Sequence, residues 1–111
     1  KQAKIAASRA DIEANLAIAL DLYELDNGRY PTTAEGLPAL IQNPNSPEVA
    51  DTWGGPYLKK RKLPNDPWGR EYVYISPGSH NFDRYDLYSY GPDGIGSEDD
   101  IVNWEDTSPL R

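Results

Sequence analysis

Apolar and polar positions recur with a helical period over the first quarter of the chain. Set at about 100° per residue, Ile5, Ile12, Leu16, Ala19, Leu20 and Tyr23 fall on one stripe, the spacing of a helix buried along one side. The opposite side carries Ala3, Ala7, Ala10, Ala14 and Ala17. The pattern predicts a helix from Ala3 to Asp26, roughly 36 Å long at about 1.5 Å per residue. Asn27-Gly28 supplies its left-handed C-terminal position, and Pro31 blocks continuation. No capping residue marks a start at Lys1-Gln2, so the helix begins in mid-stride. The chain also contains no methionine. Together these lead us to expect that an N-terminal segment has been removed, and that any membrane anchor lay upstream of Lys1.

Behind the helix the pattern shortens. Thr32 and Glu35 have the form of a capping box and predict a second helix from about Thr33 to Gln42, with Leu37, Leu40 and Ile41 turned inward. Pro38 is tolerable there only near the first turn. Residues 43–56 read as a surface loop, with Trp53 folded back as a lid on the core. Tyr57-Leu58 reads as a brief strand, and Pro64-Asn65-Asp66-Pro67-Trp68-Gly69 as a dense turn signal. Tyr72 to Ser76 and Asp86 to Tyr90 read as two strands of an antiparallel hairpin turned at Pro77-Gly78, with Val73, Ile75 and Leu87 facing the helix. The expected fold class is α+β: a long N-terminal helix packed on a small antiparallel sheet, followed by a loop-rich C-terminal region. The chain divides into a helical spine (1–28), a short helix and variable loop (29–56), a sheet (57–90) and an acidic loop with a tail (91–111), all in one domain.

Composition narrows the function. A length of 111 residues leaves room for one modest core. A net charge of −7 argues against nucleic acid, whose binders need a basic face. The absence of cysteine excludes disulfides and thiolate metal sites. No stretch approaches the roughly 20 apolar residues of a membrane span, and signal-peptide features are lacking. His80, the sole histidine, sits in an evident turn and reads as an exposed loop residue rather than a general base. No triad or thiol mechanism can be assembled. Adjacent Asp99 and Asp100 are poorly placed for the roughly 5–9 Å separation of a glycosidase pair. The reading is not an enzyme.

After Tyr90 the character changes. Residues 91–100 hold four carboxylates and three glycines, and from Asp83 to Asp106 eight acidic residues face one basic residue, Arg84. Carboxylates this dense suit a compensating cation, and oxygen donors without imidazole or thiolate select calcium, or magnesium, over transition metals. The residues leave a second reading open, an acidic glycine-rich loop that is simply solvated. The EF-hand pattern fails, since Ile95 and Ser97 stand where Asp or Asn is wanted. In favour of a site, the chain returns through Ile101-Val102-Asn103-Trp104, whose apolar residues suit docking.

Three motifs carry a resemblance over nearly the whole chain: Leu22 to Leu37; Gly55-Pro56-Tyr57-Leu58-Lys59-Lys60 with Asp66-Pro67-Trp68-Gly69; and Tyr88-Ser89-Tyr90-Gly91-Pro92-Asp93-Gly94 with Asp100-Ile101-Val102-Asn103-Trp104. In order and spacing they resemble the major pseudopilins of bacterial type II secretion systems. The resemblance implies a hydrophobic helix before Lys1, trimmed by a prepilin peptidase and anchored in the inner membrane, with this domain in the periplasm. It implies a homo-oligomeric helical filament, with other pseudopilins and the inner-membrane assembly platform as partners. It also implies calcium in the C-terminal loop, with side-chain ligands Asp93, Asp99 and Asp100 and main-chain carbonyls from Tyr90, Ile95 and Ser97. Extracellular modules bind calcium at about 10⁻⁴ to 10⁻³ M. Pro92 stands where the family carries alanine, which stiffens the start of the loop. The alternatives are a type IV pilus or minor pseudopilin subunit, and a calcium-dependent extracytoplasmic binding module. Type IV pilins commonly close this region with a disulfide, and the chain has no cysteine.

Two surfaces suit assembly. The alanine stripe would let a neighbouring subunit approach closely, although alanine is also simply the best helix former. Lys59 to Lys62, the one basic cluster, opposes the acidic C-terminal region in charge and would allow a head-to-tail contact; a solvated face explains it equally.

Overall fold

The computed structural model describes residues 2–59, 62–91 and 101–103. Its spine is one helical rod in three parts: α1 (Gln2–Ala10), a π-helical turn (Asp11–Asn15) and α2 (Leu16–Asn27). The π turn is not visible in the apolar period. Its mark is the Leu16 N–H, which donates to the Asp11 carbonyl five residues back. Gly28 ends α2 at φ 81°, with its N–H on the Glu24 carbonyl, as Asn27-Gly28 leads one to expect. Ile12, Leu16, Ala19, Leu20 and Tyr23 are buried. Ile5 is half-buried at the edge of the core.

The second helix differs from expectation. The capping box forms reciprocally, with the Glu35 N–H on Thr32 Oγ1 (3.1 Å) and the Thr32 N–H on Glu35 Oε1 (3.0 Å). It caps only a turn. Gly36, at φ 67° and ψ −172°, breaks the backbone, and a 3₁₀ turn (Leu37–Leu40) restarts beyond it. Pro38 lacks the N–H that a continuing helix would need. Leu37 and Leu40 are buried as expected, but Ile41 is only half-buried. Trp53 lies partly buried on the core, and its indole N–H donates to the Ala39 carbonyl at 2.7 Å. Tyr57-Leu58 is not a strand: the Tyr57 N–H is spent on the Leu40 carbonyl (2.7 Å) rather than on a ladder.

Among the described residues the sheet has three antiparallel strands in the order β1 (Val73–Ile75), β2 (Asp86–Ser89) and β3 (Ile101–Val102). Tyr74 lies opposite Leu87, so the two share a face, and both are buried. Leu87 therefore faces the core as expected, whereas Val73 and Ile75 are half-buried and Tyr72 and Tyr74 take the inward positions. Buried tyrosine is tolerable because its hydroxyl finds a partner. Tyr74 donates to the Pro31 carbonyl at 2.6 Å, and Tyr72 to Asp11 Oδ2, in the π turn, at 2.8 Å. Burial raises both phenols.

Arg84 fastens the hairpin to the spine. It lies 5.6 Å from the Tyr30 ring centre and 5.3 Å from that of Tyr85, and it reaches Asp21 at 3.2 Å. Arg29 grips Glu35 through both nitrogens, at 2.8 and 2.9 Å. Those bonds hold the Glu35 carboxyl at about 2, against burial that alone would raise it.

Candidate functional site

The acidic segment leaves the sheet at the end of β2 and rejoins it at β3. Ser89 pairs with Ile101 and Tyr88 with Val102, so the two ends lie one strand spacing apart, about 5 Å. Asn103 secures the return by imitating another ladder residue. Its N–H donates to the Leu87 carbonyl (3.1 Å), its Oδ1 accepts from the Leu87 N–H (2.9 Å), and its Nδ2 donates to the Tyr85 carbonyl (3.0 Å). Ile101 is buried, and β3 lies against α1.

A buried carboxylate stands at this end of β2. Asp66 opens the turn that Pro67 and Gly69 announce in the sequence. Its N–H donates to the Arg70 carbonyl (2.7 Å), and Gly69, at φ 87°, donates back to the Asp66 carbonyl (2.9 Å). Asp66 Oδ1 accepts from the N–H groups of Trp68 (3.1 Å) and Arg70 (2.8 Å). Oδ2 accepts the Ser89 hydroxyl at 2.7 Å, and Ser89 Oγ in turn accepts from the Gly91 N–H at 3.0 Å. Asp66 is 4% exposed and Ser89 0%.

At the other end of β2 sits Asp86, 1% exposed. The N–H groups of Ser79, His80 and Asn81 converge on its carboxylate at 2.9, 3.0 and 3.0 Å, with His80 Nδ1 also at 3.0 Å. Burial alone would raise this carboxyl. The N–H of Asn81, the His80 ring and the N–H groups of His80 and Ser79 outweigh it and hold the carboxyl below its ordinary value. A Cβ on Gly78 would collide with the same carboxylate. His80 is exposed, as read from the sequence, but its ring is engaged with Asp86.

Of the ligands implied for the loop, Tyr90 is described: it directly follows β2, half-buried, its ring edge-on to Tyr88 at 5.6 Å. Asp93, Ile95, Ser97, Asp99 and Asp100 lie outside the described residues, as do Lys60, Arg61 and Trp104. Among the described residues no three His, Cys, Asp or Glu side chains are grouped to hold a metal ion. The donor chemistry between Tyr90 and Asp100 is nevertheless entirely oxygen, which fits a hard cation, and the Ser89–Ile101 pairing joins both ends of that segment at one base. Asp66, Ser89 and Asn103 were not singled out by sequence reasoning. Asp66 was visible as part of a turn and Ser89 as a polar residue in a strand, each within a motif of the resemblance but with no role of its own.

The face of the spine away from the sheet is uncovered. Ala3, Ala7 and Ala10 are exposed, Ala14 and Ala17 partly so. The stripe continues into Ile18, Leu22 and Leu25, exposed by 59, 44 and 80%. Among the described residues no helix is long and apolar enough to cross a membrane.

Comparison with known proteins adds the following. The family model "Type II secretion system (T2SS), protein G" matches residues 1–104. A type II secretion system core protein G of Escherichia coli K12 is 52% identical over 87 residues, covering 78% of this chain and 58% of that protein. A core protein G of Pseudomonas aeruginosa is 46% identical over 109 residues, covering 94% of this chain and 73% of that protein. The chain thus spans little more than half the length of the E. coli relative. Among solved structures, the major pseudopilin of the enterohaemorrhagic E. coli type 2 secretion system superposes with a TM-score of 0.67 at 40% identity, covering 93% of this chain and 91% of that one.

Proposed function

Because the chain belongs to the type II secretion system protein G family, whose members are structural pseudopilins and not enzymes, we propose that it is the periplasmic portion of a filament subunit. In this reading an apolar helix before Lys1 anchors the subunit in the inner membrane. Copies then assemble helically, spine against spine, with other pseudopilins and the assembly platform, to drive export across the outer membrane. The observation that carries the reading is the uncovered stripe from Ala3 to Leu25. A lone domain has no use for three large apolar side chains exposed along one helix face, whereas a neighbour that covers them gains their burial. The test is assembly of the full-length protein carrying Leu22→Glu or Ala10→Glu with Ala14→Glu. Filaments should be lost while the melting of the 111-residue domain is unchanged. Normal filaments from these variants would overturn the stripe as the contact between subunits, and a parent protein that forms no filaments would overturn the reading.

The same reading places calcium in the segment 90–100, with Asp93, Asp99 and Asp100 as side-chain ligands and the carbonyls of Tyr90, Ile95 and Ser97 beside them. Bound there, the ion would supply the charge that lets these carboxylates stand close together. The oxygen-only donor set and the closed base at Ser89 and Ile101 support it. At 100-fold saturation an ion specific to the folded chain adds about 2.7 kcal/mol, so calcium should raise the melting midpoint by roughly ten degrees over chelator. Asp93→Ala should abolish the rise. No rise in the parent chain would sink the calcium assignment and leave the filament reading standing on the spine.

A further inference from the structure

We infer that Asp66 and Ser89 are positioning residues of the acidic loop, a buried polar relay that aims the Tyr90 carbonyl toward the place where the ion is held. The inference rests on the calcium reading given above. The Ser89 hydroxyl donates to Asp66 Oδ2, 2.7 Å away, which commits its single proton. The oxygen then presents its lone pairs to the Gly91 N–H at 3.0 Å. The Tyr90–Gly91 peptide is planar and trans, so its carbonyl points opposite to its N–H. Drawing the Gly91 N–H onto buried Ser89 therefore points the Tyr90 carbonyl away from Ser89 Oγ. Gly91, at φ 75°, adopts the left-handed turn that starts the loop in that orientation.

The relay is built for rigidity. Asp66 is itself pinned by two backbone N–H groups of its own turn, and it reaches β2 across 23 residues of sequence. Both side chains are more than nine-tenths buried, so water does not compete for their bonds. Ser89 also pairs with Ile101, so the same residue fixes where the loop leaves and where it returns.

Calorimetric titration of the 111-residue chain with calcium chloride tests this. Losing a partner that orients a ligand typically weakens metal binding by about 10- to 100-fold. Ser89→Ala and Asp66→Asn should each weaken calcium at least tenfold, and Ser89→Thr, which keeps the hydroxyl, should bind within a few-fold of the parent. Tyr74→Phe, which loses a buried hydrogen bond away from the loop, should lower the midpoint in chelator and leave the calcium affinity unchanged. Ser89→Cys, close in volume but a weak donor, serves in place of Ala should Ala fail to fold. Calcium bound by Ser89→Ala or Ser89→Cys as tightly as by the parent overturns the relay alone. A parent chain that binds no calcium overturns the loop assignment, and the relay with it.

Discussion

Strand β2 is held by a buried carboxylate at each end, and the two ends are organised in opposite ways. Asp86, on the strand itself, is satisfied by three consecutive N–H groups no more than seven residues before it. That arrangement is local: it closes the hairpin. Asp66 comes from a distant turn, and its second oxygen goes to a hydroxyl that carries the constraint one step further, to Gly91. One carboxylate ends a structure and the other begins one. Equal burial therefore does not mean equal role; what matters is whether the last partner is free to move a neighbour.

The sharpest way to separate the two ends is Asp86→Ala. It removes a buried carboxylate that accepts three backbone N–H bonds, and hydrogen bonds to a charged group are worth about 1.5–3 kcal/mol each. The expected loss is on the order of 3 kcal/mol or more, read as a midpoint fall above about ten degrees in chelator. The milder Asp86→Asn should keep native-like calcium affinity, unlike Ser89→Ala. Equal losses of affinity in both would erase the distinction drawn here.

Acid should loosen the fold in a defined order of sign. Glu35 is held at about 2 by Arg29, and Asp86 is also depressed. For each, the contribution to stability is fully present above the unfolded carboxyl range near pH 4 and is lost as pH falls through the lower folded value. Urea unfolding from pH 7 down to pH 2 should show a flat region, then a decline below about pH 4.5. Glu35→Gln should flatten that decline by on the order of 2–3 kcal/mol at most. A slope independent of Glu35 would contradict the ion pair.

Smaller effects follow. Tyr74→Phe removes one buried hydrogen bond and should cost about 1 kcal/mol in denaturant unfolding. Phe82, exposed by 79% near the tip of the hairpin, should tolerate Ser within about 0.5 kcal/mol. A large loss there would mean that the tip packs on something more than Asp86 and its turn.

Much of this was legible beforehand because it is periodic. Ile12, Leu16, Ala19, Leu20 and Tyr23 announce the spine, Asn27-Gly28 its end, and the residues around Leu87 the hairpin. What was not legible depended on competition. Thr32 and Glu35 formed their box, but Gly36 won over the helix it was meant to start. Val73 and Ile75 had the stronger strand character, but Tyr72 and Tyr74 could bury a larger surface and still satisfy their hydroxyls. Asp66 read as part of a turn and Ser89 as part of a strand, but no local pattern pairs them, since their partnership is made by the tertiary fold. Of the loop residues named from resemblance, Tyr90 alone is among the described residues, immediately after β2.

The π turn has a consequence for the spine as a whole. A wider turn between Asp11 and Leu16 delays the winding there. Buried Ser8, Ile12 and Leu16 recur at intervals of four where an ordinary α-helix would drift out of line. The outer stripe passes through the same delay, so the alanines of α1 and the leucines of α2 owe their common line to it. The turn acts as a phase adjuster between two lengths of ordinary helix. Deleting one residue between Asp11 and Asn15 would let the turn close to ordinary helix with both lengths still in phase. A deletion within α1 or α2 would instead rotate everything before it by about 100° and leave two half-stripes that no single neighbour could cover.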